Sequence, residues 1–151
     1  MVAVLIVGCA PQPVPVTRTA TPSVIVIPTE LPNGRVEIAL RPTYLLGAPT
    51  RVDIAIVATR GTITGPIEAR VMASGINESG SPAEVLVRRL GANSATSSAG
   101  RRATTSVSWD GQDEFGVRVP ADAYVLLLEF ESIDGDTTRT VRATATLQMN
   151  D

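Results

Sequence analysis

The residues best suited to chemistry in this sequence are four carboxylates grouped in one segment, Asp110, Asp113, Glu114 and Asp122. Carboxylate oxygens suit Ca²⁺, which takes about six to eight oxygen ligands. The spacing is not that of an EF-hand loop, because a glycine and a glutamine directly follow Asp110. Asp also forms turns by hydrogen-bonding its own backbone. Turn formation is therefore the favoured interpretation, and a metal site at Asp110, Asp113 and Asp122 is the alternative.

The side chains that usually move protons in enzymes are absent, since the chain has no His and its 13 basic residues are all Arg. The many Ser and Thr hydroxyls therefore have no visible base to activate them as nucleophiles. Metal sites built on His are excluded for the same reason. The composition predicts a protein that is not an enzyme and that has no cofactor. The second function class, an enzyme or an accessory domain of an envelope enzyme complex, stays open.

Charge also limits the choice of partner. The formal net charge is −2, so the chain has no basic field that would attract nucleic acid. The segment 91–102 is poor in apolar residues and is predicted to be a mobile loop. One arginine pair, 88–89, lies just before this segment, and a second pair, 101–102, forms its end. These arginines are interpreted as the solvated rim of that loop. Contact with a phosphate or an acidic polymer is the alternative.

The only cysteine, Cys9, ends a short apolar run over residues 1–9 and has no partner for a disulfide within the chain. The run is too short to span a bilayer but suits the end of a signal peptide. Its last four residues, Ile-Val-Gly-Cys, resemble a bacterial lipobox. The resemblance implies a lipidated Cys9 and a membrane anchor on the extracytoplasmic face. Because no basic residue precedes Cys9, we expect the natural start to lie upstream of Met1. The alternative is a buried strand with a free thiol.

Residues 10–33 are predicted to be a linker, because they are rich in Pro and Thr and carry little charge. Such sequences favour extended polyproline II, and at about 3 Å per residue the linker reaches roughly 60–70 Å from a membrane. An apolar island at residues 23–27 interrupts it. We expect this island to add a short edge strand or to pack on the domain that follows. Residues 34–151 are expected to fold alone.

The domain at 34–151 is predicted to be all-β, with seven strands and no helix. Apolar and polar residues alternate in each predicted strand, and turn signals separate the strands at the spacing of a β-sandwich. Residues 61–66 read as a turn, and Asp134-Gly135 reads as a hairpin. The predicted strands lie at 36–40, 52–56, 67–73, 83–90, 104–109, 124–130 and 140–149.

The segment from Ser106 to Phe130 organises the rest of the domain. Thr105, Val107 and Trp109 share one face of a strand, so Trp109 is predicted to point inward. The turn signals that follow lead through Pro120, which cannot donate to a β-ladder, into a second apolar face that begins at Tyr124. The acids between these strands are therefore predicted to be structural.

One motif in this segment resembles the W-D-G-x-D-x-x-G-x-x-V-P-x-G-x-Y signature of bacterial Ig-like domains. Two families carry it, the Ig-like domain of flagellar hook-capping proteins and the BsuPI-type domain named for a proteinase inhibitor. The strand at 85–90 is similar to the one preceding the motif in the first family. The sequence departs from the signature at Asp122, where the families have Gly. The matching residues are Trp109, Asp110, Gly111, Asp113, Gly116, Pro120 and Tyr124.

The resemblance implies a seven-stranded, antiparallel Ig-like β-sandwich that acts as a binding or structural module. With the lipobox, it implies a membrane-anchored lipoprotein whose partners are the membrane through Cys9 and another envelope protein or a polysaccharide. The BsuPI resemblance implies proteinase inhibition as the alternative function.

Overall fold

Residues 23–76 and 78–151 are described by a computed structural model, and within them the chain is all-β without a helix. This described part contains ten strands, nine of them within 34–151, where seven were predicted, so the predicted number is wrong. The additional strands are short or lack an apolar alternation. The strands are β1 (Ile25–Leu31), β2 (Gly34–Leu40), β3 (Tyr44–Leu45), β4 (Thr50–Ala58), β5 (Thr62–Ile76), β6 (Pro82–Leu90), β7 (Ala95–Ser98), β8 (Arg102–Trp109), β9 (Ala123–Asp134) and β10 (Thr137–Asn150).

The strands form two sheets. The first sheet has four strands in the order β1-β2-β4-β8, all antiparallel. The second sheet has the order β3-β10-β9-β5-β6, and β7 adds a further pairing to the start of β5. Only the short β3–β10 pair among these described strands is parallel. The result is a mixed, mostly antiparallel β-sandwich-like fold.

Both sheets contribute to one hydrophobic core. Alternate residues of each strand point into it, because side chains of a strand project to opposite faces with a period of two. Each fully buried Leu, Ile, Val or Phe contributes about 1.5–3 kcal/mol relative to exposure. The largest contributions come from Val36, Ile38, Val52, Ile54, Ile56, Val107 and Trp109 in the first sheet and from Ile63, Val71, Leu126, Leu128, Phe130, Leu147 and Met149 in the second.

The strongest alternations in the sequence are confirmed by the burial of their residues. In β10, Ala143, Ala145, Leu147 and Met149 are buried while the residues between them are exposed. The apolar residues predicted to point inward in β2, β4, β8 and β9 are also buried, although β4 and β9 bury residues of the opposite face as well. The predicted hairpin is also confirmed, since β9 and β10 pair from Asp134 and Thr137 onward.

The predicted linker 10–33 contains a strand. The structure confirms an edge strand at the apolar island, but β1 runs through Ile25–Leu31 and pairs along its whole length with β2. Ile27 and Leu31 pack against the core. The folded part therefore begins before Gly34, the predicted start of the domain. The remainder of the linker, residues 10–22, lies outside the described residues.

The predicted mobile loop at 91–102 is wrong, because it contains β7. This strand pairs with the start of β5, and the Thr64 and Thr96 hydroxyls lie 2.9 Å apart across the pair. Ser97 is fully buried, and its Oγ accepts a 2.8 Å hydrogen bond from Ala58 N while donating to Arg101 O. Hydroxyl groups thus help to hold this strand in place, together with its pairing to β5 and the packing of Ala95 against the core.

The predicted turn at 61–66 is also wrong, because Thr62 to Pro66 belong to β5. A register shift between Thr64 and Glu68 interrupts the pairing with β9 and leaves Ile67 half exposed. Gly65 is required by close packing, since a Cβ there would lie 2.5 Å from the Phe130 ring. The glycine and proline that read as a turn thus mark a bulge inside a long strand.

Asn33, in the turn between β1 and β2, fastens one end of the sandwich. Its side chain is fully buried, and Nδ2 lies 3.2–3.3 Å from three backbone carbonyl oxygens, those of Arg60, Thr62 and Ile133. Its Oδ1 accepts a 2.7 Å hydrogen bond from the Ser132 hydroxyl. One amide therefore connects the first sheet to two strands of the second.

Candidate functional site

The predicted motif forms a loop, residues 110–122, at the end of the sandwich where β8 ends and β9 begins. This end is termed the loop end. Trp109 is buried, as predicted, and its indole Nε1 donates a 2.8 Å hydrogen bond to Gln112 O. Asp110 Oδ1 accepts a 3.1 Å bond from Gln112 N. The first turn of the loop is therefore tied both to the core and to its own acid.

Asp113 builds the second turn of the loop. Its Oδ1 accepts hydrogen bonds of 2.9 Å from Phe115 N and Val117 N, and its backbone N donates to Val117 O at 2.8 Å. Gly116 has a φ of 79°, a conformation that other residues rarely adopt. The aspartate and glycine of the motif are thus explained by the turn itself.

Arg88 and Arg89 of β6 hold this loop, instead of forming the rim of a mobile loop as predicted. Arg88 Nη1 donates to Asp113 O, and its Nη2 lies 3.7 Å from Asp110 Oδ2. Glu114 N donates a 3.0 Å bond to Val87 O, and Arg89 N donates a 3.2 Å bond to Glu114 Oε1. These contacts fix the loop against the edge of the second sheet.

Tyr124 closes the loop from the other side. Its hydroxyl donates a 2.9 Å hydrogen bond to Pro120 O, four residues upstream. Its ring packs edge-on against Trp109, with centroids 5.3 Å apart and planes at 69°, a favourable aromatic geometry. Burial raises the pKa of the Tyr124 phenol, and the Asp122 carboxylate adds to the increase.

The three aspartates considered as a metal site serve separate parts of the backbone. Asp110 and Asp113 bond to their own turns, and Asp122 Oδ1 accepts a 2.7 Å bond from Ala123 N. Across residues 23–76 and 78–151, no group of three or more His, Cys, Asp or Glu side chains is arranged to hold a metal ion. The loop therefore has the hydrogen bonding of a structural turn.

An apolar groove of 380 Å³ lies beside the loop. We term it the β6 groove; its apolar walls are Ala73, Leu86, Val87, Val119, Pro120 and Tyr124. Phe115 borders it from the tip of the loop and is 91% exposed. An aromatic side chain exposed beside an apolar groove is typical of an interaction surface.

Other exposed apolar side chains lie at the same end of the molecule. Ile76 is 76% exposed and Val117 is 61% exposed. The pairing registers place Val24 and Ile25 here too, because β1 begins opposite the end of β2, and they place Leu45 next to the end of β10. The loop end is thus apolar, and the described part of the chain also begins there, at Ser23.

A second concavity, of 470 Å³, crosses the outer face of the first sheet. Its charged side chains already have partners, since Glu37 lies 2.8 Å from Arg35 and 2.9 Å from Arg102. The bond from Arg35 lowers the pKa of Glu37, and Arg102 lowers it further, although partial burial opposes the change. Arg51 and Asp53 pair at 3.0 Å. None of the described residues that line this concavity is aromatic.

Comparison with protein families and with curated proteins finds no match to this chain. Cys9, the predicted lipidation site, lies outside the described residues. Residues 23–76 and 78–151 contain no helix that is long and apolar enough to cross a bilayer. The function must therefore be inferred from the geometry of the described residues and from the sequence.

Proposed function

We propose that the chain is a membrane-anchored, extracytoplasmic lipoprotein whose folded part is a non-catalytic Ig-like binding module. In an immunoglobulin-type sandwich, strands A, B and E share one sheet and strands C, F and G share the other. Assigning β2, β4 and β8 as A, B and E, and β5, β9 and β10 as C, F and G, reproduces these two groups. On this assignment β1 is an added edge strand and β6 is the additional C′ strand.

The Tyr124 hydrogen bond gives independent support for this topology. A tyrosine near the start of strand F whose hydroxyl bonds to backbone a few residues upstream is a hallmark of Ig-like sandwiches. Tyr124 lies at the start of β9 and bonds to Pro120 O. Its partner across the core, Trp109, ends the strand assigned as E. The two aromatic residues of the motif thus have structural roles in this assignment.

The exposure of Phe115 carries the binding role. Four backbone N–H groups bond to carboxylates of the loop, and the Arg88 side chain bonds to Asp113 O, so these acids shape the chain. Phe115 contributes little to the core at 91% exposure. Presenting a large apolar side chain on a fixed loop reduces the conformational entropy lost on binding a partner. The loop end is therefore the binding surface in this proposal.

The anchoring part is tested at Cys9. When the chain is expressed in a bacterium behind a basic signal segment, the lipidated form is expected in the membrane fraction and should partition into detergent. Cys9→Ala should move the protein to the soluble fraction and remove the lipid mass. Cys9→Ala protein that fractionates with the membrane as the parent does, or parent protein without lipid, contradicts the anchor.

Proteinase inhibition is the second candidate, and the fixed loop favours it. An inhibitory loop needs an exposed side chain on a backbone held rigidly enough to enter an active site. Phe115 and the hydrogen bonds of Asp113 meet this requirement. Titration against proteinases that prefer aromatic residues decides the matter. Inhibition that Phe115→Ser removes would replace the general binding module by an inhibitor.

A further inference from the structure

The rim of the β6 groove is acidic on every charged position. Asp113, Glu114 and Asp122 line it, and no Arg does. Glu114 is paired with Arg89 at 3.6 Å. Asp113 and Asp122 accept hydrogen bonds from backbone groups but form no salt bridge with another described residue. Arg88 bonds to the backbone carbonyl of Asp113 and not to its carboxylate, so neither carboxylate is held in a salt bridge at the edge of the apolar surface.

This combination of charge and polarity discriminates between classes of partner. An anionic lipid surface and a nucleic acid are repelled by uncompensated carboxylates. A neutral polysaccharide would leave the apolar walls without matching groups, because aliphatic side chains and a proline supply most of them. An apolar side chain next to an Arg or Lys satisfies both the walls and the rim.

The neighbouring strand indicates the shape of the bound segment. β6 is the terminal strand of its sheet, so one of its edges faces away from β5. The loop covers this edge at Val87 and Arg89, through the bond from Glu114 N to Val87 O and the bond from Arg89 N to Glu114 Oε1, and not at the start of the strand. Extended peptides add to such free edges through backbone hydrogen bonds, while pockets beside the strand select their side chains.

We propose that the β6 groove binds an extended segment of a partner protein in which an apolar residue adjoins an Arg or Lys. The apolar side chain lies between Leu86, Val119 and Phe115. The cation lies against Asp113 and Asp122. This inference rests on the proposed binding module and names the chemistry of its partner.

The test uses the full chain, labelled with ¹⁵N, and three synthetic ten-residue peptides. The first peptide contains Leu-Arg pairs separated by Ser and Thr, the second has Glu in place of Arg, and the third has Ser in place of Leu. Only the first peptide is expected to shift the amide signals of residues 85–87 and 113–124 in a saturable way. Its affinity should fall by at least about tenfold between low and high salt, since charge pairs at a rim are screened.

Matched variants assign the binding to the groove. Phe115→Ser should weaken binding by at least about tenfold, as expected for an aromatic anchor. Asp122→Asn should weaken binding less than Phe115→Ser does. It removes one charge from the rim, while the asparagine Oδ1 still accepts the bond from Ala123 N and keeps the shape of the loop. Ile67→Ser is the control, since Ile67 is also an exposed apolar residue but does not line the groove. It should leave the affinity unchanged.

Several outcomes overturn the inference. Equal binding of the Glu peptide, shifts that map away from the groove, or no saturable shift at millimolar peptide each exclude a cationic apolar partner. Phe115-dependent binding to anionic vesicles would assign the loop end to the membrane surface instead. If the peptide does not bind but the parent protein is lipidated and membrane-bound, only the proposed binding groove is refuted. If the Cys9 experiment fails instead, the membrane anchor is refuted and the peptide result remains valid.

Discussion

At the scale of single residues, the Asn33 side chain lies within hydrogen-bond distance of four groups that are distant in sequence. A buried amide is tolerated only when its polar atoms are paired, and Asn33 pairs all of them with groups distant in sequence. Removing the Asn33 side chain leaves the Ser132 hydroxyl without its acceptor and three backbone carbonyl oxygens without this donor. We therefore expect Asn33→Ala to reduce the free energy of unfolding by about 2–3 kcal/mol, measured by urea denaturation.

Asn150→Ala is the matched control for that measurement. Asn150 is exposed, so losing its side chain should change the stability by no more than about 0.5 kcal/mol. Similar midpoints for the two variants would show that the Asn33 amide is replaceable by water. A larger loss for Asn33→Ala, with Trp109 fluorescence unchanged before unfolding, supports its role as a connection between the sheets.

Residues whose roles follow from local pattern could be predicted from the sequence. The inward position of Trp109 and the turn-forming role of Asp113 both follow from neighbours within a few positions. Asn33 and Arg88 could not be predicted in this way. Asn33 bonds to residues up to 100 positions away, and Arg88 to a loop carbonyl 25 positions away. Such partners exist only once the fold has formed.

At the scale of elements, the loop 110–122 is expected to owe its shape to hydrogen bonds and not to a metal. We expect thermal unfolding midpoints to be equal with chelator and with millimolar Ca²⁺. A ligand that binds the folded state raises the midpoint by mass action, so an upward shift would assign the acids to an ion. Each aspartate already accepts a bond from a backbone N–H.

Asp113→Ala provides the matching change in stability. It removes the acceptor for Phe115 N and Val117 N, and should cost about 1 kcal/mol because these exposed groups then bond to water. Asp136→Ala, in the exposed β9–β10 turn, serves as the control and should have little effect. If Ca²⁺ stabilises the parent protein and Asp113→Ala abolishes that gain, the structural interpretation of the loop fails.

Elements were predictable where burial alone shapes the sequence. Apolar and polar residues alternate over the whole buried length of β10, so its sequence predicts both the strand and the face that points into the core. β7 is different, because its buried Ser97 is stabilised by hydroxyl bonds and its sequence resembles a polar loop. The start of β5 could not be predicted, because Gly65 and Pro66 are typical turn residues in a local pattern. In the folded chain they lie inside the strand, where Gly65 allows close packing against Phe130.

At the scale of the whole molecule, the two ends of the sandwich differ in character. The end at Asn33 is closed by buried polar contacts and by the 2.8 Å ion pair of Arg60 with Asp134. The loop end carries Phe115 and Ile76 exposed beside an acidic rim. The described chain also begins at the loop end, so a tether attached there would place the proposed binding surface nearest its anchor.

The extent of the folded unit is a property of the whole molecule, and truncation measures it. A chain that starts at Gly34 lacks β1, with Ile27 and Leu31 on the core, and also lacks Asn33. We expect it to lose at least about 4 kcal/mol relative to a chain starting at Ser23, a large share of a typical stability of about 5–15 kcal/mol. A chain starting at Pro32 keeps Asn33 without β1 and should lie between the two. Urea unfolding followed by far-UV circular dichroism orders the three, because the strands dominate that signal. If the chain starting at Gly34 is as stable as the longest one, β1 does not stabilise the fold, and the domain begins at β2.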